Sequence, residues 1–255
     1  MPRIITYNVH RCLGVDGVLD PRRIAAVIAA CQPDIVALQE LDVRRARSGG
    51  VDQAQVIADE LGMQMHFHPA LRVMEEMYGD AILTARPSRF VKGGALPERT
   101  GAEPRGALWA AVQLPGGEVQ VINTHLGLRG LERLRQIEAL LGPEWLGHPK
   151  CSAPAILLGD FNAVPQSRAY RRVAARLRDA QGSRLVARAQ PTFPGRLPVL
   201  RIDHVFVSAG VEVTRAEPVR TPLSRKASDH LPLLVEFRLT RPSAPGARLE
   251  DTVAD

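Results

Sequence analysis

Residues 155–164, AILLGDFNAV, run apolar from Ala155 to Leu158, pass one glycine, and then set Asp160 and Asn162 two positions apart. The uncharged run reads as a strand buried on both faces, the pattern of a sheet that is covered on either side. It ends on two groups that resist burial, and other runs repeat the arrangement. RIITYN (3–8) ends on Asn8, DIVALQE (34–40) on Glu40 and VQVINTH (119–125) on His125. Two later runs carry such groups at their start: RIDHVFVS (201–208) with Asp203 and His204, and SDHLPLLVEF (228–237) with Asp229 and His230. In a mixed sheet the C-terminal ends of strands running one way share an edge with the N-terminal ends of strands running the other way. All six ends are therefore expected in one cleft.

Such a cleft would crowd Glu40, Asp160, Asp203 and Asp229 together, and like charges in a partly dry site oppose joint ionisation. A hard divalent cation resolves the conflict. Carboxylate and amide oxygens, without cysteine and with only isolated histidines, suit Mg²⁺ or Mn²⁺ better than zinc. A carboxylate-held Mg²⁺ also takes up phosphate oxygens, which points to phosphoryl chemistry and an anionic phosphate-ester substrate. Taken singly, each residue also reads as a turn former or a hydrogen-bonded surface group; the joint occurrence favours a site.

The remaining periodicity fills in the architecture. Strands are expected at 3–9, 34–40, 63–70, 79–85, 88–95, 107–114, 118–124, 154–159, 202–208, 211–219 and 230–238. Helices are expected at 19–32, where Asp20 caps and Pro21 takes the first position, at 52–62 closed by Gly62, at 130–142, and at 166–178. So many strands with so few helices do not suit a simple βαβ succession, and an α/β (α+β) sandwich of mixed sheets covered by helices is expected. One domain over 1–239 is the reading, followed by a disordered tail at 240–255, whose sequence lacks periodicity.

Lys+Arg exceeds Asp+Glu by 33 to 27, a net charge of +6 that mildly favours an anionic partner. The basicity is nearly all arginine, since Lys92, Lys150 and Lys226 are the only lysines. Cys12, Cys31 and Cys151 form no metal or disulfide spacing, so a reducing compartment is expected. The chain enters a strand pattern at once, and no apolar run approaches the about 20 residues that span a bilayer, so a cytoplasmic, monomeric protein without stable membrane insertion is expected.

In order along the chain, TYNVH, DIVALQELD, YGDAILTARP, INTHLG, LLGDFNAVP, RIDHVFVS and SDHLPLLVEF resemble the endonuclease/exonuclease/phosphatase superfamily, the deoxyribonuclease I-like metal-dependent phosphoesterases. The resemblance runs from residue 4 to residue 237. It implies a four-layer sandwich of two packed mixed sheets flanked by helices, and Mg²⁺-dependent hydrolysis of a phosphate ester by in-line attack of an activated water. Carried onto this chain, it implies Glu40 as the principal metal ligand, with Asn8 and Asp229 contributing directly or through water. It implies that Asp160 orients or deprotonates the attacking water and that Asn162 fixes that water or a phosphate oxygen. His230 matches an essential histidine, Asp203 its orienting carboxylate, and His125 a group that stabilises the pentacovalent phosphate. The base has been assigned in the family both to the histidine and to the aspartate of GDFN. Arg105, in EPRGALWA, stands where relatives carry a substrate-binding arginine, although a surface arginine is the plainer reading. Asp80 stands where relatives usually have asparagine. His125, in place of tyrosine, disfavours abasic-site repair.

Three substrate readings follow. The first is a phosphodiesterase or phosphatase acting on a small-molecule or lipid head-group ester. The second is a nuclease, for which the arginines at 171, 172, 176, 178, 184 and 188 offer a patch. Aromatics make up only 4% of the chain and do not interleave with those arginines, so stacking on single strands is not supported. The third is a catalytically retired binding module, which the presence of every site residue argues against.

Overall fold

The double-sided apolarity of residues 155–158 resolves in the computed structural model, which describes residues 1–151, 154–186 and 188–240. In chain order the elements are β1 (Arg3–Asn8), α1 (Pro21–Ala29), β2 (Ile35–Val43), α2 (Gln53–Leu61), β3 (Gln64–Val73), β4 (Glu76–Thr84), β5 (Ser88–Ala95), β6 (Gly106–Leu114) and β7 (Gly117–His125). There follow α3 (Gly130–Leu141), β8 (Ala155–Asp160), α4 (Arg168–Ala174), β9 (Arg178–Asp179), β10 (Asp203–Val207), β11 (Val211–Pro218), α5 (Ser224–Ala227) and β12 (Leu233–Leu239). The strands form two sheets of six, ordered β11-β12-β1-β2-β4-β3 and β5-β6-β7-β8-β10-β9.

Alternate residues of one strand serve two cores. Ile156 and Leu158 of β8 pack between the sheets with Ile4, Ile35 and Ile82 of the first sheet and Val121 and Val205 of the second. Leu157 points the other way, into a cluster with Trp109, Phe206, Ile137 and Leu140 of α3 and Val173 of α4. On the far side Ile5, Val36 and Leu38 pack on Ile24, Val27 and Ile28 of α1 and Ile57 of α2. The order helix, sheet, sheet, helix is the four-layer α/β sandwich that was expected.

The helices begin where their caps lie. The Asp20 carboxylate accepts from the backbone N–H groups of Arg22 and Arg23, and Asp52 accepts from that of Gln55. Gly62 closes α2 in the left-handed region at φ 62°. The helix expected over 166–178 is shorter: Ser167 caps α4, which ends at Ala174, and Arg178 belongs to the two-residue strand β9. β2 does not stop at Glu40 but continues to Val43 through a register shift between Leu38 and Leu41. Asp229 and His230 lie before β12, which starts at Leu233 and not at 230. Thr240 donates from its backbone to the Gly210 carbonyl. The tail expected at 240–255 lies, from 241 onward, outside the described residues. Among the described residues, no helix is long and apolar enough to cross a membrane.

Polar ties fix how one sheet sits on the other. Gln39 Nε2 donates to Asn123 Oδ1 at 2.7 Å, and Asn123 Nδ2 donates to the carbonyls of Leu38 and Ala81, each at 2.9 Å. Asn123, fully buried on β7, thus holds β2 and β4 of the opposite sheet beside the Leu38–Leu41 irregularity. Removing it takes a donor from the buried Leu38 and Ala81 carbonyls, while Gln39 Nε2 keeps the Thr6 hydroxyl and the Ala37 carbonyl; each unsatisfied buried group costs about 1–3 kcal/mol. Asn123→Ala is expected to lower the free energy of urea unfolding by about 2 kcal/mol or more. A loss below about 1 kcal/mol would show that the tie does not hold the sheets.

Candidate active site

Strand register brings the polar ends together. β7 runs parallel to β8 with His125 opposite Asp160, and β10 runs antiparallel to β8 with Asp203 opposite the same Asp160. In the other sheet, β1 runs parallel to β2 and ends on Asn8, and β12 returns antiparallel beside β1. Packing one sheet on the other sets Asn8 over Asp160, and Asn8 Nδ2 donates at 2.9 Å both to Asp160 Oδ2 and to Glu40 Oε1. Glu40 reaches that point because its backbone is left-handed, at φ 62°, within the irregular register of β2. Such a backbone is unusual for a residue with a side chain and is sustained here by the surrounding pairing.

The Asp160 carboxylate is the centre of the cluster. Its Oδ1 accepts from the Asn162 backbone N–H at 2.8 Å, in a turn that holds Asn162 at φ 47°. His230 Nε2 lies 3.7 Å and His125 Nε2 3.6 Å from Asp160 Oδ2. His230 Nδ1 bonds Asp203 Oδ2 at 2.9 Å, and Asp203 also accepts from the Thr192 hydroxyl. The Phe193 ring lies against His230, tilted by 48°, with centroids 4.8 Å apart. Asn162 Nδ2 donates to the Leu126 carbonyl at 2.9 Å, which turns its amide toward His125. The structure therefore gathers Asn8, Glu40, His125, Asp160, Asn162, Asp203 and His230 in one place.

Asp229 joins through a residue that the sequence reading passed over. His10 Nδ1 lies 3.6 Å from Glu40 Oε2 and 3.8 Å from Asp229 Oδ1, so a ring nitrogen stands between two of the groups assigned to the metal. The Glu40 carboxylate raises the His10 pKa. Oxygens of Glu40, on β2, and of Asp229, in the loop before β12, thus both lie within 4 Å of His10 Nδ1, and two carboxylates of this kind fit a hard divalent cation. Asn8 is oriented differently from a direct ligand. Its Oδ1 accepts from the His10 backbone N–H at 3.0 Å, and its nitrogen faces the carboxylates. Asp160, Asp203 and His230 also present donor atoms within 4.8 Å of one another, but the direct bond to Asp203 commits His230 Nδ1 and leaves only Nε2, 3.7 Å from Asp160.

Burial and charge drive the two site histidines apart. Burial pushes His125 down to about 3, with the Arg105 guanidinium adding to the effect. Burial opposes charge on His230 as well, but Asp203 and Asp160 outweigh it and hold the group up at about 10. Desolvation lifts Asp160 to about 7 against the pull of His230. Burial works against the Glu40 carboxylate, yet His10, His125 and Asn8 keep it below the ordinary range. Buried Asp80 is lifted to about 8 by desolvation, with Arg105 resisting.

Arg105 is buried, not the surface arginine of the plainer reading. It is 7% exposed, it pairs with Glu103, and its Nη1 stands 2.9 Å from His125 Nδ1. A guanidinium can only donate, so His125 Nδ1 accepts and the ring proton of the neutral imidazole falls on Nε2, 3.6 Å from Asp160 Oδ2 and 3.9 Å from Glu40 Oε1, and the Asn162 Nδ2 that stands 3.2 Å away does not donate to it. Thr192, Phe193 and His10 were missed by sequence reasoning. Only His10 carried a signal, two residues after Asn8 in TYNVH; Thr192 and Phe193 lie in a stretch without periodicity.

A model of the Endonuclease/Exonuclease/phosphatase family matches residues 5–230. The uncharacterized protein YbhP of Escherichia coli strain K12 is 27% identical over 249 residues, covering 93% of this chain and 96% of that protein. Among solved structures, an endonuclease/exonuclease/phosphatase from Beutenbergia cavernae superposes with a TM-score of 0.72 at 25% identity, over 94% of this chain and 72% of that one. The catalytic domain of human Nocturnin with bound sulfate superposes with a TM-score of 0.71 at 25% identity, over 94% of both chains.

The Arg105 contact makes a specific forecast. In Arg105→Met the His125 pKa is expected to rise from about 3 toward the ordinary imidazole value, because a nearby positive charge is gone. Long-range proton–nitrogen NMR across a pH series reads both the titration and the ring nitrogen that carries the proton. An unchanged titration with the proton still on Nε2 would show that Arg105 does not set the state of His125.

Proposed function

We propose, from the premise that the chain belongs to the endonuclease/exonuclease/phosphatase family, that it is a divalent-metal-dependent phosphoesterase hydrolysing a P–O bond of a small-molecule or lipid head-group phosphodiester. The observation that carries the reading is the unbroken sequence of contacts Asp203–His230–Asp160–Asn8–Glu40, which crosses from one sheet to the other. Glu40 and Asp229 would hold Mg²⁺ or Mn²⁺, with Asn8 orienting their side of the site. Bound there, the ion would polarise a phosphoryl oxygen and offset its developing charge.

The remaining work falls to the chain itself. Asp160, lifted toward neutrality by burial, has the basicity to take a proton from water near pH 7. His230, kept cationic by Asp203, is suited to stabilise negative charge or to donate a proton, and not to accept one at neutral pH. Neutral His125 offers its Nε2–H, and Asn162 its amide, where charge builds on the equatorial oxygens. Support for this division of roles comes from the opposite pKa shifts of groups less than 4 Å apart.

The nuclease alternative loses half of its proposed arginine patch. Arg172 is paired with Glu138, Arg176 donates to the Leu141 carbonyl and Arg178 to that of Val211. These three arginines help fasten α4 and β9 to the rest of the fold, leaving Arg171, Arg184 and Arg188 exposed, and the thinned patch favours a small ester.

Chelation of divalent metal is expected to abolish release of nitrophenol from bis-(p-nitrophenyl) phosphate, and added Mg²⁺ or Mn²⁺ to restore it. His230→Ala is expected to lower kcat by about a hundredfold or more. Metal-independent turnover, or an unaffected variant, would refute the reading. The pH profile supplies a separate check. kcat/KM is expected to rise as Asp160 ionises near pH 7 and to fall as His230 loses its proton near pH 10. In Asp203→Asn the alkaline limb is expected at lower pH, since a charge that raises the His230 pKa is gone. A profile with no acid limb near neutrality would remove Asp160 as the base.

A further inference from the structure

On the Arg105 side of His125 lies a second, differently built space. Two cavities, of about 480 and 160 Å³, open side by side and share Arg99, Arg129 and Glu132 in their walls. The smaller also includes Arg105, whose guanidinium bonds His125, and Gly127, two residues beyond it. The larger adds Arg135, Glu98 and Pro97. A volume of about 480 Å³ lies in the range of small-ligand sites, about 300–1,000 Å³.

Many surface arginines are paired, and what sets the three of the larger cavity apart is that, among the described residues, they stand unpaired around it. Arg47, Arg86, Arg172 and Arg238 all lie on carboxylates. Among the described residues, Arg99, Arg129 and Arg135 have no carboxylate in salt-bridge range and no side-chain hydrogen bond. The wall also holds buried polar atoms without a partner. Glu132 is 8% and Arg105 7% exposed, yet Glu132 Oε1 and Arg105 Nε bond nothing. Unpartnered buried polar atoms are uncommon and call for something that fills their valence. Leu128 and Leu131, more than two-thirds exposed, flank Arg129 and give the mouth an apolar lip.

We infer that this cavity is a second anion subsite, which receives a phosphate or phosphate-like group carried on the far arm of the substrate while the scissile phosphate lies at Asp160 and His230. Three guanidiniums match phosphate oxygens in bidentate fashion. Glu98 and Glu132 in the same wall bring the surplus of arginine over glutamate down to one, which suits a single compact anion better than a nucleic-acid backbone. Glu132 Oε1 is placed to accept from a hydroxyl on the stem that joins the two phosphates. The inference rests on the phosphoesterase reading and names its substrate class: a diester with a second, terminal phosphate, either free in solution or part of a lipid head group.

Calorimetry tests it independently of turnover. Propane-1,3-diyl bisphosphate is expected to bind the wild-type chain at least about tenfold more tightly than propyl phosphate, the worth of one charge-assisted contact. That advantage is expected to vanish in the triple variant Arg99→Ala/Arg129→Ala/Arg135→Ala. Should the triple variant not fold, the single variant Arg129→Ala is expected to lose most of it. Equal affinity for the two probes in the wild type, or an advantage that survives in the variants, would overturn the subsite. Because binding is read directly, loss of hydrolysis alone counts against the phosphoesterase reading and leaves this one standing. Sedimentation with vesicles of phosphatidylcholine and phosphatidic acid then separates the sources. Arginine-dependent pelleting assigns the phosphate to a lipid, and its absence beside intact calorimetric binding assigns it to a soluble ester.

Discussion

Asp160 is a carboxylate with almost no contact with solvent, at the end of a strand that is apolar on both faces, and the site is arranged around the need to accommodate it. A buried carboxylate without partners would be driven neutral. Here Asn8 donates from the opposite sheet, the Asn162 backbone N–H donates from the turn that follows, and His230 stands on the third side. The first of these contacts exists only if the two sheets are packed in one particular register. Accommodating Asp160 and stacking the sheets are therefore a single structural condition.

Asn123 meets that condition from within the core. It lies two residues before His125 on β7 and spends its amide on Gln39, Leu38 and Ala81, at the place where the register of β2 slips. The slip turns Glu40 into the left-handed backbone that carries its carboxylate to Asn8. Gly159 completes the close fit on β8, since its φ of 141° and the Thr124 carbonyl 1.8 Å from any added Cβ exclude a side chain. Buried amide and glycine thus hold in place the residues that bear charge.

Much of this was legible in the chain. The strand-end residues could be read because period-two patterning locates a strand, and a polar group ending a buried run has to point into something. Most elements fell where patterning and capping residues set them. What could not be read depended on contacts distant in sequence. The bulge at Glu40 is invisible in DIVALQELD, because its strand pattern is unbroken and the irregularity arises from pairing with β4. The arginines of 171–178 suggested a long solvated helix, whereas Arg178 pairs in a strand and Arg176 reaches back to α3. Arg105 could be placed near the site but not assigned a task, since its partner His125 lies twenty residues away on the neighbouring strand.

That partner bears on the chemistry more than any other departure from expectation. A carboxylate at His125 Nδ1 would favour an imidazolium, as Asp203 does for His230, and the site would then hold two cationic histidines on one phosphate. Arg105 imposes the opposite state. It makes Nδ1 an acceptor, adds to burial in keeping the ring neutral, and leaves a donor on Nε2. One imidazole is therefore set as a permanent hydrogen-bond donor and the other as the group that can exchange a proton. The two differ because one faces a guanidinium and the other a carboxylate, and Asp160 between them is left as the group whose protonation changes near neutral pH.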